Sequence, residues 1–142
     1  MGLEQHFPNL ARTTYSVTSP LTPAYNCIAW AAGDSTRWWW PDDHVYWPGG
    51  VPVEESLDSF VAAFETLEYE ACPDGQLEPG FEKVAIYASA DAVPTHAARQ
   101  LPNGLWTSKL GKDVDIEHEL EGLTSQKYGK AVRFLRRPRL QP

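Results

Sequence analysis

The sequence predicts an α+β domain, and three observations carry that reading. Residues 54–67 hold Leu57, Phe60, Val61, Phe64 and Leu67 at helical spacing with charged residues between them. Strand-like runs follow at 83–88, 95–101 and 105–109, the last two joined by Pro102-Asn103-Gly104, a hairpin turn sequence. The chain of 142 residues suits one domain, 1–142, and is long enough to bury a core without disulfides or metal. A helical part followed by antiparallel strands is the α+β order.

The elements follow from local chemistry. Residues 1–24 hold Pro8, Pro20, Pro23 and Ser/Thr clusters and read as an irregular lead-in. Asn26 is a good N-cap for a short helix through Cys27-Ile28-Ala29-Trp30-Ala31-Ala32, which Gly33 closes. Residues 34–53 read as loop, because Trp38-Trp39-Trp40-Pro41 and Trp47-Pro48-Gly49-Gly50 leave little regular structure. A short strand is expected at 68–72, a short helix at 116–123 and a final strand at 131–135. The basic end, with Arg133, Arg136, Arg137 and Arg139, reads as a solvated tail.

Composition narrows the function. A net charge of −7 argues against nucleic acid as the main partner. No apolar stretch approaches membrane-spanning length. The chain opens without a basic segment followed by an apolar one, so no signal peptide is visible and a cytoplasmic location is expected. The two cysteines, Cys27 and Cys72, are expected as free thiols. His44 and His118 lack metal-ligand spacing with either, so no metal and no cofactor is expected.

One pair of residues suggests chemistry. Cys27 follows the cap directly, where unpaired backbone N–H groups and the helix dipole favour a thiolate and half of an oxyanion hole. A nucleophile needs a base, and His96 opens an otherwise apolar strand. The returning strand is expected to bring Thr107, Ser108 or Lys109 opposite it. Ser108 is the candidate orienter, its hydroxyl accepting the Nδ1–H; Asp113 and Asp115 are the alternatives. Trp38, Trp39, Trp40 and Trp47 are candidates for a substrate groove, since tryptophan offers large, rigid contact area.

These residues resemble the papain-like cysteine hydrolase superfamily. Tyr25-Asn26-Cys27-Ile28-Ala29-Trp30-Ala31 is similar to its nucleophile segment. The layout is nearest to the bacterial cell-wall endopeptidase branch, which has a Tyr, a Pro/Gly-rich loop and then the nucleophile. Tyr15 precedes Cys27 by a similar interval, and Asn26 stands where that branch has Asp. The stretch from His96 through Pro102-Asn103-Gly104 to Ser108 resembles the branch's His strand, turn and returning strand. Residues 106–111 are similar to papain's Trp-x-x-Lys-Asn-Ser-Trp-Gly. The resemblance implies a papain-like core with the nucleophile helix packed on an antiparallel meander. It also implies an oxyanion role for Tyr15 or Asn26, and Ser108 in the third position. In a second register Lys83-Val84-Ala85-Ile86-Tyr87 matches the branch's His strand, with Lys83 at the base position.

Two function classes stand open. The first is thiol-dependent amide chemistry by Cys27 and His96 on a peptide or protein substrate: hydrolysis, deamidation or acyl transfer. The second is a non-catalytic binding or interaction domain, of immunity or anti-defence type, whose tryptophan loop holds the ligand.

Overall fold

A computed structural model describes residues 2–110 and 112–139. Gly111, which ends the stretch similar to papain's, lies outside the described residues. The core is one seven-stranded antiparallel sheet in the order β1-β6-β5-β4-β3-β7-β2. Its strands are β1 Tyr15–Ser19, β2 Glu70–Cys72, β3 Phe81–Ala88, β4 Pro94–Gln100, β5 Trp106–Lys109, β6 Asp115–His118 and β7 Lys130–Pro138. The helices are α1 Leu3–His6, α2 Cys27–Ala31 and α3 Leu57–Glu65, with 3₁₀ turns at Pro8–Arg12 and Leu120–Leu123. The α+β class is as the sequence predicts. No helix among the described residues is long and apolar enough to cross a membrane.

Each face of the sheet buries its own cluster. Helices α2 and α3 and the tryptophan loop cover one face, where Cys27, Ile28, Phe60, Phe64 and Trp39 meet Val84, Ile86, Ala97 and Leu135. The N-terminal segment covers the other, where Phe7 and Leu10 meet Ala85, Tyr87, Ala98, Trp106, Ile116 and Tyr128. Consecutive strand residues thus serve opposite layers, Ala97 one and Ala98 the other, as the pleat requires.

The local reasons are legible. Asn26 caps α2 by accepting the Ala29 N–H, and Gly33 leaves the helix at φ +88°. Ser56 caps α3 in the same way, accepting from Ser59 N–H. On α3, Phe60 and Phe64 are fully buried, while Leu57, Val61 and Leu67 are half-buried at the margin.

Four expectations need correction. The lead-in is not irregular: Tyr15-Ser16-Val17-Thr18-Ser19, aromatic and β-branched, forms edge strand β1, which precedes α2 and α3 and pairs with β6. Residues 116–123 are not a helix but β6 and then a 3₁₀ turn. The pattern there has period two, with Ile116 in the second cluster and Asp115 facing Tyr25 and the first. The last strand runs from Lys130 to Pro138, well past 131–135. Its arginines are therefore no tail: Arg136 pairs with Glu78, and Arg137 with Glu82 at 3.0 Å.

Because Phe64 is sealed and Val61 only half-covered, the two should respond differently to truncation. Phe64→Ala should cost about 3–5 kcal/mol and Val61→Ala roughly 1 kcal/mol, read by urea unfolding. Equal costs would show that the α3 core is misassigned.

Candidate functional site

Cys27 opens α2 against β4 and is 7% exposed. With Asn26, Trp38, Trp40, Asp42, Val45, Thr95, Lys127 and Tyr128 it lines a pocket of about 400 Å³. Asn26 builds the wall: its Oδ1 accepts from Ala29 N–H and Trp39 N–H, and its Nδ2 donates to Trp39 carbonyl at 2.8 Å. Of the four tryptophans, only Trp38 and Trp40 face the pocket. Trp39 is core, its indole N–H held by Asp34, and Trp47 packs on Phe60 with its N–H on the Pro52 carbonyl. These two leave the candidate groove because large aromatics close the core more often than they line a surface.

The thiol is not activated at rest. Burial pushes Cys27 up to about 11, outweighing the backbone N–H groups of Ala97, Ile28 and Cys27 and the Lys109 charge, which pull the other way. The expected depression fails because α2 has five residues and so little dipole, while desolvation acts in full.

His96 is 0% exposed and stands on the next residue's opposite side from Ala97, against Tyr87 and under Tyr128, whose ring stacks at 4.2 Å. Its Nε2 lies 2.9 Å from Ser108 Oγ. Ser108 Oγ lies in turn 2.7 Å from Nε2 of His118, whose Nδ1 is 2.7 Å from the Glu119 carbonyl. Ser108 therefore does meet His96, but at Nε2 and not Nδ1. Nor is it opposite in register: Thr107 pairs with Arg99, and Ser108 reaches His96 diagonally. Asp113 and Asp115 are committed elsewhere, Asp113 to Val114 N–H and Asp115 to Tyr25 and Ser19.

Among the described residues His96 Nδ1 has no hydrogen-bond partner, so no bond to Cys27 is formed at rest. The β4–β5 ladder pairs Arg99 with Thr107 and Gln100 with Trp106. Tyr128 joins the two halves, lining the Cys27 pocket while stacking on His96. Gly129 makes that placement possible: at φ +73° its absent Cβ would sit 1.9 Å from the Ala88 carbonyl oxygen.

The remaining candidates fall away from the thiol. Tyr15 lies on edge strand β1, gives its hydroxyl proton to Glu4 at 2.8 Å and packs in the second cluster. Lys83 is buried on Asp74 and Glu78, so the alternative register offers no base. Cys27 and Cys72 are both free. No three His, Cys, Asp or Glu side chains among the described residues are grouped as a metal would need. Sequence reasoning missed His118 and Tyr128; the His118 signal was its period-two place two residues from Ile116.

Residues 16–136, which hold every residue of this site, match the family described as Domain of unknown function (DUF7689). The chain belongs to that family. The matched span runs from within β1 into β7, so the DUF7689 region includes both faces of the sheet. No curated protein and no solved structure matches the chain.

Burial of the two imidazoles makes the fold acid-sensitive. Desolvation holds His96 well below 6.5, with His118 adding to it, and holds His118 at about 4. The unfolded chain then binds more protons below about 6.5, so stability is complete above that pH and falls beneath it. His118 alone should remove about 3 kcal/mol by pH 4. Urea unfolding at pH 7, 5.5 and 4.5 should show the fall, with a shallower one in His118→Gln; identical slopes would contradict the buried neutral assignment.

Proposed function

We propose that the chain is a papain-like cysteine hydrolase domain acting on amide bonds of a peptide or protein, with Cys27 as nucleophile and His96 as base. The observation that carries this is His96 itself: a buried imidazole anchored through Nε2 to Ser108 and left with a bare, unpartnered Nδ1, one residue along β4 from the backbone N–H that reaches the Cys27 sulfur. A cysteine opening a helix that packs on an antiparallel sheet supports the papain-like reading.

With both partners neutral at rest, the chemistry is general-base assisted. As sulfur bonds to the carbonyl carbon, the thiol proton passes to His96 Nδ1. The C–N bond then breaks and the amine leaves with that proton. Water attacks the thioester next, releasing the acid and returning a proton to sulfur; an amine acceptor in place of water gives acyl transfer, and a side-chain amide gives deamidation. The Cys27 backbone N–H and the second N–H of Asn26 Nδ2 are the donors for the oxyanion. Lys109, whose charge acts on the thiol, favours the thiolate as it forms.

The binding-domain alternative also has support, since His96 is sealed under Tyr128 and the thiol is protonated. A peptide vinyl sulfone probe separates the two. Catalysis predicts adducts on Cys27 at pH 7, lost in Cys27→Ala and at least tenfold slower in His96→Ala, with both variants folded. Adducts only on the more exposed Cys72, or a rate indifferent to His96→Ala, would overturn the catalytic reading.

A further inference from the structure

The buried chain His96–Ser108–His118 ends on a backbone carbonyl, and that end fixes its direction. The Glu119 carbonyl can only accept, so His118 Nδ1, 2.7 Å away, carries the ring proton. Neutral His118 then offers only a lone pair at Nε2, and Ser108 must donate its single hydroxyl proton there, across 2.7 Å. Having spent that proton, Ser108 Oγ can only accept from His96, so His96 Nε2 carries the proton at 2.9 Å. A neutral imidazole protonated at Nε2 has a bare Nδ1. That is the one polar atom of His96 without a hydrogen-bond partner among the described residues.

We propose that His118 is a positioning residue for the site: acting through Ser108, it locks His96 in the Nε2–H tautomer and leaves Nδ1 as the base. This rests on the reading of Cys27 and His96 as a reacting pair. Without an acceptor at position 118, the Ser108 hydroxyl turns to its other hydrogen-bond partner, His96 Nε2, and donates to it. The ring proton then moves to Nδ1, where it blocks proton abstraction. A serine alone holds either tautomer; a serine anchored by an oriented histidine holds one. All three side chains are 0% exposed, so water does not compete for these bonds.

The test reads the tautomer directly, by ¹⁵N NMR of the histidine rings at pH 7, beside the vinyl sulfone labelling rate of Cys27. Native protein and Cys27→Ala should both show His96 protonated at Nε2 and His118 at Nδ1. His118→Gln, whose amide oxygen can accept the same serine proton, should keep the His96 tautomer and label within about twofold of native. His118→Leu should move the His96 proton to Nδ1 and slow labelling at least tenfold. Native His96 protonated at Nδ1 overturns the proposal, and so does a folded His118→Leu whose tautomer is unchanged. Should His118→Leu not fold, the native and His118→Gln spectra decide it. Labelling indifferent to His96→Ala fails the catalytic reading instead, and the spectra tell the two failures apart.

Discussion

Three hydrogen bonds to one buried amide hold the site in place. Asn26 Oδ1 accepts from the first turn of α2 and from Trp39, and Nδ2 returns a bond to the Trp39 carbonyl. The helix start and the tryptophan loop are thereby one rigid corner, and Cys27 is the next residue along. A buried amide with its acceptor fully used is costly to disturb, because each orphaned partner loses about 1–3 kcal/mol of solvation without compensation. The corner is braced from outside by Asp34. Burial works against its charge, yet hydrogen bonds from Thr36, Trp39 and Arg37 outweigh that and hold it well below the ordinary carboxylate range. The loop holds without regular structure, its four indole N–H groups donating to the Pro23 carbonyl, Asp34, Glu55 and the Pro52 carbonyl.

From that corner outward, the sheet divides the chemistry. The thiol belongs to the layer of α2 and α3, the imidazole to the layer of Phe7, Tyr87 and Tyr128. Tyr128 is the side chain common to both, lining the Cys27 pocket and stacking on the His96 ring. Burial keeps both groups neutral, and the proposed reaction accordingly has them exchange a proton in the course of the step and not store it as an ion pair. A neutral pair also needs the right imidazole nitrogen to be bare, which gives the Ser108–His118 chain a reason to be buried and directional.

Much of this was legible in the sequence where one residue decides the local outcome. Asn26 and Gly33 bounded α2, the 3.6-residue spacing found α3, and Pro102-Asn103-Gly104 found the hairpin. Ser108 was found beside His96, although from a register that does not exist; the diagonal contact replaced the direct one. What stayed hidden depends on three-dimensional burial. Nothing local distinguishes Trp38 and Trp40, at the pocket, from Trp39, in the core, and Trp47, packed on its margin. The Cys27 ionisation could not be read from its cap, because desolvation depends on what covers the sulfur. His118 was invisible because its partners lie 10 residues back and in its own neighbour's carbonyl. Residues 116–123 misled because a four-residue strand and a short 3₁₀ turn together mimic a helix in length.

The central claim is that Cys27 rests as a thiol and loses its proton only to His96 during reaction. Its most direct test is the pH dependence of iodoacetamide alkylation at Cys27 in the free protein, followed by peptide mapping with Cys72 as internal reference. The expected result is slow reaction at pH 7 and a rate still rising beyond pH 9, with an apparent pKa near 11. A plateau below the free-cysteine value of about 8.5 would contradict it, because the thiolate would then be stored before any substrate arrives.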